Sequence, residues 1–237
     1  MSNEQRSLEI AILVCPDYAP VDVIAFHAAL GSMPGVNLHL VWKDLDEFSG
    51  FAGFPTRATT TFADCPADLD ALLIGATPPE LMEDLDTLAF LADRGSRAKW
   101  VAGVCEGSLV LGAAGLLRGY RATTNYHFYG LLGRFGATVV ETSKVVEDRN
   151  RITAGPPATG CFEIAERLIQ DFFGTEAARR MELNAEYAPH PLFGVGTPEL
   201  AGPELTRDAL AETHAWTEAV SPIARRAADR LEVSDPV

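Results

Sequence analysis

The sequence has no run of about 20 apolar residues, the length that a membrane-spanning helix needs. Its apolar stretches are short and interrupted by glycine or charge. It has no CxxC pair, and its four cysteines (Cys15, Cys65, Cys105 and Cys161) stand at no zinc-site spacing to one another or to the five histidines. Basic residues are scarce: 19 Lys and Arg against 33 Asp and Glu leave a formal charge of −14. That balance argues against nucleic acid and against an anionic membrane surface as partners. The opening "MSNEQRSLEIAILV" lacks the basic-then-apolar order of a secretory signal, so a cytoplasmic location is expected, and with it free thiols rather than a disulfide framework. Internal repeats, low-complexity tracts and linkers are also missing.

What remains is an ordinary globular composition, 47% hydrophobic and 22% charged over 237 residues, enough for one sizeable core. "LEIAILV" (8–14) is a continuous apolar run that predicts a buried parallel strand. "VDVIAFHAALGSM" then carries apolar residues at helical spacing. "GVNLHLVWKD" and "DALLIGATPPE" predict the next strands, the latter ending in a Gly/Pro corner. "LMEDLDTLAFLADRGSRA" predicts a helix ended by Gly95. "KWVAGV" predicts a strand, and "EGSLVLGAAGLL" the helix after it. Strand and helix alternate with short connections, which predicts a mostly parallel sheet with helices on both faces, a flavodoxin-like three-layer sandwich. Further on, "ATVVE" and "KVVEDRNRIT" predict short strands with a turn at Arg149–Asn150. "GCFEIAERLIQDFFG" and "TEAARRMELNAEY" predict helices, the second capped by Thr175. "APHPLFGVGTPELAGPE" predicts loop. The end predicts two helices, one capped by Thr206 and the other starting at Ser221–Pro222. The expected organisation is an α/β domain over 1–200 with a helical C-terminal extension over 201–237.

The chemistry concentrates at "VAGVCEGSLVLGAAGLL" (101–117). Catalytic groups in open parallel sheets gather beyond the carboxyl ends of the strands. Cys105 stands there, between a strand and a helix, in the pattern G-x-C-x-G, the thiol counterpart of a nucleophile elbow. A helix N-terminus favours thiolate over thiol. Glu106 works against that, since a nearby carboxylate raises a thiol pKa. It either turns toward a basic partner or is protonated and bonded to Asp22 or the sulfur. Cys15 reads as core, Cys65 as incidental and Cys161 as a possible neighbour of the site. His127 is the histidine with a claim on the pocket, and Trp216 sits on an apolar stripe that is either a dimer face or a cover.

"AILVCPDYAPVDV", "ADCPADLDALLIGA", "LMEDLDTLAFL", "GVCEGSLVLGAAGLLRGYRATT", "DRNRIT" and "EYAPHPLFGVGTPE" together resemble the isonitrile hydratase branch of the PfpI/ThiJ superfamily, from about Leu8 to Glu199. The resemblance implies Cys105 as nucleophile and Asp22 as general acid/base. It implies a homodimer acting on a small-molecule substrate, an isocyanide hydrated to an N-substituted formamide, with no metal ion or organic cofactor. Gly75, Ala76, Thr77, Asn125, Tyr126, His127 and Cys161 fall where substrate is expected, and the backbone N–H groups near Glu106 and Ala76 are expected to support developing charge. The sequence departs from the family pattern at Glu106 (usually Thr), Ala76 (usually Gly), Asn125–Tyr126 (usually His-Trp) and Cys161–Phe162 (usually Ile-Asp). A glyoxalase- or hydrolase-type catalyst on another small electrophile and a non-catalytic, redox-responsive thiol protein remain open alternatives.

Overall fold

The computed structural model describes residues 7–234. The elements in chain order are β1 (Leu8–Leu13), α1 (Pro20–Gly31), β2 (Val36–Trp42), β3 (Glu47–Gly50), β4 (Phe54–Arg57), β5 (Thr60–Thr61) and β6 (Ala71–Ile74). Then come α2 (Leu85–Arg97), β7 (Trp100–Val104), α3 (Gly107–Ala113), β8 (Arg121–Ala122), α4 (Tyr129–Leu132) and β9 (Thr138–Val139). The last are β10 (Val146–Asp148), β11 (Arg151–Ala154), α5 (Thr159–Phe173), α6 (Thr175–Asn184), α7 (Pro198–Glu212) and α8 (His214–Ser234). Among the described residues no helix is long and apolar enough to cross a membrane.

The main sheet runs β10-β11-β7-β6-β1-β2-β5. Every neighbouring pair is parallel except β10 with β11 at the edge. The order β2-β1-β6-β7-β11 is that of a flavodoxin-like α/β fold, with its topological switch between β1 and β6. The continuous apolar runs are explained by burial on both faces. Ile10, Ile12, Leu72, Leu73, Ile74, Val101 and Ile152 are all buried in the centre of the sheet. Helices α1, α5 and α6 pack together, as do α2, α3 and α8. The loops after β1, β6, β7 and β11 all leave the same edge.

Several element ends differ from the sequence expectation. Gly95 does not end α2, which continues to Arg97. A Cβ at Gly95 would press into Leu116, so this glycine admits a neighbouring side chain rather than stopping the helix. The helix starts at Leu85, where Asp84 Oδ1 accepts from Thr87 N at 2.9 Å, and residues 79–83 form a separate 3₁₀ turn. Helix α3 stops at Ala113, short of Leu117. Gly174, not Thr175, flanks the start of α6.

The expected loop over 188–204 contains the start of α7. Thr197 caps it, accepting from Leu200 N, and Pro198 follows in the first turn. Pro203 comes directly after a non-helical Gly202 (φ 76°), so each proline begins a helical piece. Thr206 is therefore interior, and its hydroxyl donates back to Pro198 O at 3.4 Å. Helix α8 runs through Ser221–Pro222 without a break, and the chain breaks at Thr213 instead. Ser221 donates to Thr217 O at 2.9 Å. Val220, Ala224, Ala227 and Ala228 lie buried at helical spacing, and this packing outweighs the backbone bond lost at Pro222.

Candidate active site

Cys105 follows the last residue of β7 and has φ 57°, in the left-handed region that non-glycine residues adopt at a cost. The surrounding backbone holds it there. Its N–H donates to Ala154 O (3.0 Å), and its carbonyl accepts from Thr124 Oγ1 (2.7 Å) and Ser108 N (3.2 Å). A Cβ at Gly107 would fall against the carbonyl oxygens of Gly75 and Ile74, where nothing can yield. One at Gly103 would meet Leu111 and the backbone of Ser108. The two glycines of G-x-C-x-G are thus imposed by β6 and α3 crowding the elbow.

Behind the sulfur lie two acids. Asp22, in the first turn of α1, is fully buried. Its Oδ2 accepts from Ala76 N and its Oδ1 from Ala158 N, each at 2.7 Å, and the Cys161 thiol is a third donor. Gly75 has no room for a side chain because the Cβ of Asp22 occupies that space. Ala158, at the mouth of α5, also has a positive φ (56°), and its N–H points to the carboxylate. Burial nonetheless pushes Asp22 above the usual carboxylate range. The Ala76 N–H, expected to face substrate, is the one that Asp22 takes.

Glu106 is buried beside the sulfur, close enough for its carboxylate to act on the Cys105 thiol. Burial raises Glu106 as well. Asn125 spans the gap between sulfur and cavity wall: its Nδ2 donates to Cys105 Sγ at 3.1 Å, and its Oδ1 accepts from His127 N at 3.1 Å. The second bond fixes which end of the amide faces sulfur. Burial first, and then the Glu106 charge, push the Cys105 thiol well above its ordinary value. The helix-terminus effect expected from the sequence does not prevail, since α3 is only seven residues long and the sulfur is buried.

The sulfur lines a cavity of about 230 Å³ together with Asn125, Tyr126, His127, Tyr129, Ser143, Gly155, Pro156, Pro157, Gly196, Pro198 and Trp216. Of the residues expected at the site, Cys105, Asn125, Tyr126 and His127 line this cavity. Asp22, Gly75, Ala76, Glu106 and Cys161 form the layer beneath it. Thr77 is buried, its Oγ1 unpartnered, and does not reach the wall. Burial holds the His127 imidazole below its usual pKa, hence neutral. Tyr129 and Ser143 carried no signal in the sequence. Pro156 and Pro157 belong to "AGPPATG" and Gly196 and Pro198 to "GVGTPE", segments readable as near the site but not residue by residue. A larger depression of about 550 Å³, between α1 and α6, is lined by Ser32, Met33, Phe162, Arg180 and Met181 and includes no cysteine. Among the described residues no cluster of His, Cys, Asp and Glu is placed to hold a metal ion.

An elbow thiol over an acid from the first strand–helix loop, on this sheet order, matches a known family across residues 8–170, the DJ-1/PfpI family. The chain belongs to that family. Isonitrile hydratase from Pseudomonas putida is 38% identical over 229 residues, spanning 96% of this chain and 99% of that one, which sets the chain in the isonitrile hydratase branch. A THiJ/PfpI family protein from Pseudomonas syringae superposes with a TM-score of 0.87 at 35% identity, over 94% of this chain and 93% of that one. Drosophila melanogaster DJ-1beta, 17% identical, shares the fold with a TM-score of 0.69 over 77% of this chain and all of its own. The DJ-1/PfpI match supplies the sulfur, both acids and most of the cavity. Gly196, Pro198 and Trp216 come from beyond its last matched residue.

Proposed function

We propose that the protein hydrates an isocyanide, R–NC, to the N-substituted formamide, R–NH–CHO, with Cys105 as nucleophile and Asp22 and Glu106 as proton carriers. The observation that carries this reading is the Cys105 sulfur on the wall of an uncharged cavity, held by Asn125 Nδ2 and backed by the buried carboxyl groups of Glu106 and Asp22. An isocyanide carbon becomes electrophilic as it is protonated, so a site that couples sulfur attack to proton delivery suits it. The sulfur forms a bond to the terminal carbon, the thiol proton leaves to Glu106, and one proton from the acid layer goes to that carbon. The product is a thioimidate, R–N=CH–S–Cys105. Water then adds to its carbon, one water proton going to nitrogen. The C–S bond breaks, the second water proton returns to sulfur, and the formamide is released. Asn125 Nδ2, fixed toward sulfur, stabilises negative charge on it during attack and departure.

The 38% identity to an isonitrile hydratase along almost the whole chain supports the same reading. The proposal includes a cytoplasmic enzyme that works without metal ion or organic cofactor, and a homodimer. Val21, Ile24, Phe51 and Phe54 are large exposed apolar side chains on α1 and around the β3–β4 hairpin, and Ile24 and Phe54 line one shallow groove, a suitable face for a second copy. The reaction is tested by incubating the protein with an alkyl isocyanide and following the formamide proton by NMR. Turnover that disappears in Cys105→Ala is expected. Turnover of glyoxals but not isocyanides would transfer the chemistry to the glyoxalase alternative.

A further inference from the structure

Taking the hydratase reading as its ground, we propose that Trp216, from the extension beyond the family core, is the residue that selects the substituent R of the substrate. Among the described residues the cavity walls carry no formally charged side chain, and the histidine among them is kept neutral by burial. At about 230 Å³ it is smaller than the 300–1,000 Å³ typical of drug-sized ligand sites. It suits a compact, uncharged, apolar substituent of roughly one small ring.

The Trp216 indole is the largest side chain on the wall and the one that α8 contributes. It meets His127 edge-on with ring centroids 5.2 Å apart and Phe128 with centroids 4.7 Å apart. Phe128 is buried in the core, so the indole leans on a fixed surface. The helix behind it is equally fixed. Val220, Ala224 and Ala227 are fully buried, Arg226 Nε and Nη2 donate to Glu83 at 2.7 and 2.9 Å, and Arg230 Nη2 donates to Met82 O at 3.1 Å. Trp216, 38% exposed on its outer side, is thus a wall that rests on His127 and Phe128 and is carried by an anchored helix. Its ring contacts are with His127 and Phe128 and not with either acid, so it bounds space without handling protons. Chemistry comes from the matched core and selection from the extension.

The test uses the full-length protein, a size series from n-butyl to 1-adamantyl isocyanide, and the variants Trp216→Ala and Trp216→Phe. The ratio of kcat/KM for the adamantyl over the butyl compound is expected to rise about tenfold or more in Trp216→Ala, with Trp216→Phe between, since apolar pocket volume discriminates on the order of 10–200-fold. The alkaline limb of the pH profile should stay in place, which separates selection from damage to the acids. A ratio within about twofold of the wild type in a Trp216→Ala enzyme that still turns over would overturn the proposal. A second arm does not depend on the reaction: N-ethylmaleimide and an N-adamantyl maleimide label Cys105 at alkaline pH, read by mass spectrometry. If the wild type hydrates no isocyanide, the hydratase reading fails, yet the labelling ratio still decides the role of Trp216. An unchanged labelling ratio in Trp216→Ala, or a wild-type Cys105 that reacts with neither probe until the protein is unfolded, counts against it.

Discussion

Beside Cys105, the charge of Glu106 makes the sulfur less acidic, and the structure shows the two residues in contact. Glu106→Thr is therefore expected to lower the thiol pKa, read from the pH dependence of Cys105 alkylation followed by mass spectrometry. An unchanged or higher value would remove Glu106 from the electrostatic account. Both carboxyls behind the sulfur are raised, so their protonated forms persist to higher pH than an ordinary carboxyl's. Turnover that draws on such an acid falls as pH rises through its raised pKa. The charge of Asp22 is among the causes that raise Glu106, and Glu106→Thr removes that raised acid, so the alkaline limb should move to lower pH. Asp22→Asn cannot accept from both Ala76 N and Ala158 N, because one end of an amide is itself a donor. One buried N–H is left unpaired at a cost of about 1–3 kcal/mol. Turnover should be lost and the melting temperature should drop by about 2–4 °C per kcal/mol for a chain of this length. A variant as stable and as active as the wild type would dismiss Asp22. Asp22 entered through the family resemblance alone, whereas Cys105 was legible in the sequence because glycines and a strand end mark it. The direction of Glu106 was not, since it depends on the left-handed φ at Cys105, which no residue pattern states.

At the scale of elements, strands were easier to read than helix ends. A strand buried on both faces announces itself as an unbroken apolar run, as at 8–14 and 71–74. Gly95, Pro203 and Pro222 are stop signals by local propensity, but the neighbours decide: Leu116 needs the space at Gly95, and the buried alanines of α8 hold the helix through Pro222. The β3–β4 hairpin and β8 were not foreseen, being too brief to show a period, whereas β9 falls within the strand expected at "ATVVE". The elbow gives a sharp element-level prediction. Gly107→Ala must push α3 away from the end of β6, at about 1–3 kcal/mol for overpacking, and should abolish turnover by displacing the sulfur. Gly119→Ala meets no atom within contact distance and suffers only its positive φ, so turnover should survive. Urea denaturation and rate measurements on the pair check this; equal activity in both variants would deny that the β6–α3 contact sets the elbow.

For the whole molecule, the alternation of strand and helix was enough to give the layers and the parallel sheet, while the closing of the cavity by α8 was not readable, because it joins residues about a hundred positions apart. Trp216 on its stripe was compatible with a cover or a dimer face, and contact with His127 and Phe128 makes it a cover. The exposed apolar side chains of α1 and the hairpin remain for a second copy, and sedimentation equilibrium is expected to return twice the chain mass; a single-chain mass at all concentrations would refute the dimer. The absence of any cation from the cavity wall has a consequence for inhibitors. Azide and cyanate are linear and as slender as the isocyano group, yet each carries a full negative charge. The −14 of the molecule and the buried acid pair both repel such ions, with no lysine or arginine on the wall to offset the repulsion. Pseudohalides should pass this protein by, and inhibitors that resemble the substrate must be neutral.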